Sequence, residues 1–499
     1  MNFLQNNKLK TSLIISNIIL FVYLIYRLIN QSKILTFFPL DITNDISSHI
    51  AQLYFLKVCG FHNLCQYWYN GYELFKFYPP GWFFFSYPIL LIFKKPELAS
   101  YISIILMLLL SFIAIYKIIS LKEKSWLLSV SFFLFLFASP ASISGFFRLG
   151  RVTELFAWVI FLFLTYLILK YKDKKFDFNF IYFIPLYTIL IFSHPTVTII
   201  FHFFLLSLFL VKFKDTKQLL ALTIYVLLGI LFSAFWWYPF VTDLGESRTE
   251  EFLPELRNRF FDIQGQWTST VILITILPLL TLILFYLYYN SKNKDKEELL
   301  FYSPILLLAV LVITRIVTFI PYLNFVYPEP YFTFFLIFSL ILFFNTNYSE
   351  KIQKILPSIL VFLIVISTLV SINETSLYPN HTELEITTLE LLSKTQGSFI
   401  IIDPPNPTSY VKAYYSYAPI YLNLTTPSGW STSELSEAHN KLLIKITDEF
   451  KNRKCADFKQ TSEILELKNI IAYNGFCSIK EKCNLKEIII KNNACLIKI

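Results

Sequence analysis

Two carboxylates and an imidazole stand four residues apart in the first polar interval of the chain: Asp41, Asp45 and His49. On a helix that spacing drifts by only about 40° per step, which predicts all three side chains on one face. Two acids and an imidazole beside an apolar segment have the chemistry of a general base, a metal ligand or a phosphate partner. The competing reading is a polar helix start, with Asp41 or Asp45 at the cap and His49 half-exposed. The interval, Pro39 to Gly81, also carries Trp68 and several Tyr, and closes with Phe77-Tyr78-Pro79-Pro80.

Composition states what must position these groups. The chain has 499 residues, is 55% hydrophobic and carries 53 Phe and 31 Tyr against 11 Gly. Only 15% of its residues are charged, against about 25% in soluble domains. Long apolar runs separated by short charged clusters describe a polytopic α-helical membrane protein, each span needing about 20 apolar residues. The net charge of +9 resides mostly in Lys of short loops, which sets orientation in a membrane and does not point to nucleic acid.

Lys8 and Lys10 place the N-terminus in the cytoplasm, before a first span at Thr11–Ile29. The apolar run Trp82–Phe93 is too short to span, so everything from about residue 31 to 97 is expected to form the first external loop. Spans are then expected at Leu98–Ile119, from Trp126 to near Ser144, and at Phe156–Leu169, Phe180–Ser193, Thr196–Val211, Leu219–Phe235, Val271–Tyr289, Leu299–Ile320, Tyr331–Phe344 and Ile355–Ile372. That makes about 11 spans, with an external loop reaching about Thr268 after Trp236-Trp237-Tyr238-Pro239. The loops at Leu121–Lys124, Lys170–Lys175, Lys212–Lys217 and Ser291–Glu298 carry Lys and no Arg.

Arg27, Arg148, Arg151, Arg248, Arg257, Arg259, Arg315 and Arg453 all fall outside, or near the outer end of a span. A guanidinium grips phosphate with a two-pronged donor fork that Lys lacks. Arg148, Arg151 and Arg315 are therefore the candidate phosphate-binding groups, against a background of general Lys preference. The six Cys, at 59, 65, 455, 477, 483 and 495, lie in segments placed outside. An even count on one side reads as disulfides, with Cys59–Cys65 a pair and at least one pair among the last four.

Residues 1–372 form the expected transmembrane domain and 373–499 a small extracytoplasmic α/β domain. Strands are expected at Ser398–Asp403, Asn469–Gly475 and in the last residues, with a helix at Ser433–Arg453. Glycosylation acceptor sequons stand at Asn373-Glu374-Thr375, Asn380-His381-Thr382 and Asn423-Leu424-Thr425.

The first loop, with Asp45 and His49, then Trp68, Asn70-Gly71 and Phe77-Tyr78-Pro79-Pro80, resembles the start of the GT-C superfamily of membrane glycosyltransferases. Arg148/Gly150/Glu154, His194-Pro195 and Trp236–Pro239 extend the resemblance to a narrower family. More narrowly the chain resembles the membrane family called 6-pyruvoyl-tetrahydropterin synthase-related, a label that implies no pterin chemistry here. One departure is Pro328-Glu329-Pro330, where an Arg is expected; Arg315 is the substitute from the preceding span. The resemblance implies transfer of a sugar from a polyprenyl-phosphate-linked donor to a glycan or protein acceptor at the outer face of a cell membrane. Asp45 is then the base, with Asp41 as alternative and His49 orienting it or meeting the phosphate. Glu154 is a second acid or the partner of Arg148 or Arg151, and His194 a phosphate ligand or a helix cap. A divalent metal is left open. The alternative class is a non-enzymatic lipid or glycan transporter, or a scaffold. A transporter should place charges mid-span on broken helices.

Overall fold

The computed structural model describes residues 7–41, 45–242, 253–262, 268–402, 411–430, 436–478 and 483–499. Arg248, most of the loop expected after Tyr238, and the first residues of the expected helix at Ser433 lie outside the described residues. The chain divides into two compact units. The first comprises residues 1–30, 104–237 and 250–377, the second residues 31–103, 238–249 and 378–499. The segment between the first two spans thus clusters with the C-terminal segment.

The first unit is helical. In order it holds α1 (Asn7–Gln31) and, after α2 (Ile46–Val58) and α3 (Gly81–Phe93) of the second unit, most of α4 (Pro96–Ser120). Next come α5 (Trp126–Phe137), α6 (Pro140–Arg148), α7 (Val152–Tyr171), α8 (Phe183–Ile191) and α9 (Pro195–Lys212). They are followed by α10 (Thr216–Phe232), the start of α11 (Ala234–Thr242), α12 (Leu253–Phe261) and α13 (Thr268–Ser291). The unit closes with α14 (Lys296–Ile313), α15 (Pro328–Asn345) and α16 (Glu350–Glu374). Caps set their starts: Asp215 and Asp295 accept backbone bonds from Gln218 and Glu297, and Pro195 and Pro328 open α9 and α15.

Seven of the helices among the described residues are long and apolar enough to cross a membrane, or nine if each of two bent pairs is one span. The expected count of about 11 is not reached among the described residues. The segment at Phe180–Ser193 forms only a shorter apolar helix, Phe178–Ile191. In the region expected to span at Leu299–Ile320, α14 starts at Lys296-Glu297-Glu298 and stops at Ile313, leaving too few apolar residues. Helices α7 and α15 are the inner ones, mostly buried, whereas α16 exposes Ile355, Phe362, Leu363 and Leu369. An outward face that apolar is what a lipid surround requires.

The two bends are local. Between α5 and α6, turned by 53°, the Ser139 hydroxyl accepts from Ser142 N and Pro140 removes an N–H from the first turn. Helix α6 then continues as a π turn at Ile143–Arg148. Between α10 and α11, turned by 68°, Ser233 bonds back to Gly229 O and Ile230 O. A Cβ on Gly229 would stand 2.6 Å from the Tyr187 ring, so only glycine admits that approach.

The second unit joins the first loop to the C-terminal residues. Helix α2 packs on α3 and on α18 (Val411–Leu422). A short hairpin, β1 (Leu64–Cys65) with β2 (Tyr72–Glu73), follows α2, and the Cys59–Cys65 disulfide ties them. The C-terminal sheet has strands β3 (Phe399–Ile402), β4 (Asn469–Tyr473), β5 (Lys486–Lys491) and β6 (Ala494–Lys498) in the order β3-β4-β6-β5. The β3–β4 pair is parallel and the others antiparallel. Helices α17 (Glu383–Ser393), α19 (Glu437–Lys451) and α20 (Cys455–Ile464) complete it. Disulfides Cys455–Cys483 and Cys477–Cys495 staple this part, as the even cysteine count predicts.

Candidate functional site

Asp41, Asp45 and His49 do not share one helix face. Helix α2 begins at Ile46, with Asp45 at its N-cap and His49 in its first turn; Asp41 precedes it, across residues outside the description. Asp45 holds the cap position through its carbonyl, which accepts from His49 N and Ser48 N, while its side chain makes no cap bond. That carboxylate faces Lys412 in the first turn of α18 instead. Burial lowers the Lys412 ammonium from its usual range, and the Asp45 charge partly offsets this. His49 is buried among Tyr78, Trp82 and Phe83, with ring centroids 5.8, 5.9 and 5.9 Å away.

The arrangement around α2 is built by aromatics. Trp68 stands edge-on to Phe55 at 4.9 Å and donates from Nε1 to Tyr415 O at 2.8 Å. Thr426 N donates to Tyr67 O and Tyr69 N to Ser428 O, at 3.0 and 3.2 Å. These bonds fix α18, and with it Lys412, against the first loop.

In the first unit, the residues after the third span gather around Arg151. The π turn of α6 carries Leu149 N to Ser144 O and Arg151 N to Gly145 O, and Gly150, at φ 71°, turns the chain into α7. Arg151 then stands at the N-cap of α7 with Glu154 in the first turn. Its Nη2 donates to Glu329 Oε1 at 3.1 Å, and its Nη1 is 3.8 Å from Glu154 Oε2. Glu154 is buried and accepts from Trp158 Nε1 at 3.0 Å. His194, at the N-cap of α9, bonds the Thr196 hydroxyl through Nδ1 at 2.8 Å and makes no cap bond. Burial first, and then the Arg151 charge, hold its imidazole below the usual histidine range. A cavity of about 260 Å³ opens beside Arg151, Glu154 and Glu329. Its walls include Gly145, Thr270, Thr333 and Ser371.

Two other expected phosphate ligands have protein partners. Arg148 is buried and donates from Nε to Ser376 Oγ at 3.0 Å. Arg315 donates to Val312 O at 2.8 Å, Thr275 Oγ1 at 2.7 Å, and Val271 O and Ile274 O at 3.3 Å each. Its fork joins the end of α14 to α13. Arg27, also buried, serves α16 similarly through Ser371 O and Thr375 O. Trp236 is buried.

Sequence reasoning missed Glu329 as a partner and Lys412 altogether. Glu329 had one signal, a carboxylate between two prolines at the head of an apolar run. Lys412 had none, because its neighbour Asp45 lies far away in sequence. Among the described residues no group of three or more His, Cys, Asp or Glu side chains is placed to hold a metal ion.

The fold is shared with archaeal oligosaccharyltransferase AglB from Archaeoglobus fulgidus. The complex of that protein with an inhibitory peptide and a dolichol-phosphate aligns with a TM-score of 0.53 and 9% identity, covering 91% of this chain and 69% of that one. A second structure from the same organism, tethered by a disulfide to an acceptor peptide containing the NVT sequon, gives 0.53 and 10% over the same shares. Its apo form gives 0.51 and 10%. No curated protein matches the chain by sequence. Residues 75–376 match the family described as 6-pyruvoyl-tetrahydropterin synthase related domain, membrane protein. That match spans the cavity, its Arg151 cluster and more than half of the 499 residues, and the chain belongs to this family of membrane proteins.

Proposed function

We propose that this chain is a membrane glycosyltransferase that moves a sugar from a polyprenyl-phosphate carrier to a glycan or protein acceptor at the outer face of the cell membrane. The observation that carries this reading is the fold shared with an oligosaccharyltransferase over 91% of the chain, in a structure that holds a dolichol-phosphate. In this reading the N-terminus is cytoplasmic and the C-terminal sheet lies outside, where an oxidising compartment suits its disulfides.

The reaction needs a base for the acceptor and positive charge for the departing lipid phosphate. Asp45 is the proposed base, its carboxylate facing the Lys412 ammonium at the start of α18. Asp41 is the alternative, and His49 orients the first loop. Arg148 is the proposed partner of the phosphate, with His194 a neutral hydrogen-bonding group. Arg151, whose charge is offset by Glu329 and Glu154, is assigned to the sugar end.

A transporter reading draws on the two broken spans, at 53° and 68°. The Arg151 cluster nevertheless sits at a span start and not at mid-span, which favours chemistry near the membrane surface. The test is a transfer assay in membranes with a fluorescent lipid-linked sugar. Asp45→Asn is expected to lower the rate by about 10²–10⁴-fold, the usual loss for a general base. Unchanged transfer in Asp45→Asn, Asp41→Asn and the double variant would remove the first loop from the chemistry.

A further inference from the structure

We infer that the cavity beside Arg151 holds an uncharged, hydroxyl-rich ring, the sugar of the donor, and rejects sugars that carry a carboxylate or phosphate. This rests on the glycosyl-transfer reading and names its substrate class.

Charge is the first argument. Even with the buried Glu154 left out of the count, two carboxylates, Glu329 and Glu374, line the cavity against one guanidinium, Arg151. Arg151 is already engaged by Glu329 at 3.1 Å and Glu154 at 3.8 Å. An anion entering here meets a net negative wall, in a setting where Coulomb repulsion is screened less than in water. A neutral polyol meets acceptors instead.

The second argument is hydrogen-bonding capacity. Glu329 Oε2 is buried and has no hydrogen-bond partner among the described residues. A buried carboxylate oxygen left unpaired is costly, and a ligand hydroxyl that donates to it recovers that cost. Arg151 and the hydroxyls of Thr270 and Thr333 supply donors for the ring's other oxygens, while Phe146 and Phe332 give its C–H faces apolar contact. Convergent polar groups interleaved with apolar wall residues suit a small polar ligand with apolar faces.

Gly145 supplies the third. It lines the cavity, and a Cβ built on it meets nothing within 4 Å. A side chain placed there enters the empty volume without displacing a neighbour, so the cavity can be filled while the fold is kept.

The test uses the full chain in nanodiscs, with octyl β-D-glucoside, -galactoside and -mannoside as neutral probes. Octyl β-D-glucuronide and octyl phosphate are the anionic probes, all below their micellar concentrations, and the readout is the thermal midpoint. At least one neutral glycoside is expected to raise the midpoint at concentrations ten-fold below those at which either anion acts. Gly145→Leu should abolish that shift while leaving the unliganded midpoint within a degree or two. Glu329→Gln should narrow the gap between neutral and anionic probes. A stronger response to the glucuronide or phosphate, no response to all three glycosides, or a glycoside shift that survives Gly145→Leu overturns the assignment. Because binding needs no turnover, these outcomes stand apart from transfer: full activity in the Asp45 and Asp41 variants with selective glycoside binding would sink the proposed mechanism and leave the cavity's specificity intact.

Discussion

Arg151 and Glu329, 178 positions apart in sequence, join through Nη2 and Oε1 at 3.1 Å. The bond ties the start of α7 to the first turn of α15, the two most buried helices of the first unit. It also fills the place where sequence comparison expects an arginine. The Pro328-Glu329-Pro330 segment contributes the complementary charge, so α15 presents an anion to a cation already carried by α7.

The pair gives a double-mutant prediction. Arg151→Met leaves Glu329 and Glu154 without their cation, and is expected to destabilise by about 1–3 kcal/mol, the usual cost of an orphaned polar group and more for a charge. Arg151→Met with Glu329→Met removes both charges and should recover part of that loss. Thermal midpoints of the four proteins in one detergent check it. Strict additivity would mean that the two side chains do not interact.

Much of the helical layout was legible because its signal is local. Runs such as Val271–Tyr289 and Ile355–Ile372 are apolar for the length of a span, and each carries Lys residues just beyond one end. The cysteines were legible for the same reason, since Cys59 and Cys65 are six residues apart. What escaped depends on partners distant in sequence or on backbone direction. The bend at Ser139-Pro140 leaves hydrophobicity unbroken, so Trp126 to Ser144 reads as one straight span. Asp41 has the spacing of a helix face, but α2 starts only after Asp45. Arg315 was read as a phosphate fork, and no local pattern reveals that carbonyls of α13 occupy it.

Arg315 therefore carries a revised prediction. Its four bonds satisfy carbonyls and a hydroxyl of α13 and the end of α14. Arg315→Lys keeps the charge but loses the fork. The thermal midpoint is expected to fall while the KM for a lipid-linked donor stays within two-fold. A raised KM with an unchanged midpoint would restore the phosphate role.

The disulfides predict a specific connectivity. Non-reducing peptide mapping should find Cys59–Cys65, Cys455–Cys483 and Cys477–Cys495 and no free thiol. Native bridges typically contribute about 2–4 kcal/mol each, so dithiothreitol should lower the melting midpoint. A Cys455–Cys477 or Cys477–Cys483 linkage would contradict the arrangement around β6.

His194 makes stability depend on pH, and the direction follows from its surroundings. Enclosure and the Arg151 charge disfavour the imidazolium, so its folded pKa lies below the unfolded value, which is about 6.5. Above that value both states are neutral at this site and the group costs nothing. As pH falls below it, the unfolded chain takes up a proton that the folded one resists, and stability declines with each further step. The decline ends only once the folded imidazole is itself protonated. Native protein is thus expected to lose melting temperature between pH 7 and pH 5. His194→Gln, which keeps a hydrogen-bonding group for Thr196 but does not titrate, should lose less over the same interval. The comparison between the two proteins removes the contribution of the other histidines, which both share. Equal slopes in native and variant protein would place the acid sensitivity elsewhere, and a steeper slope in the variant would mean that His194 gains its proton more readily in the folded state than in the unfolded one.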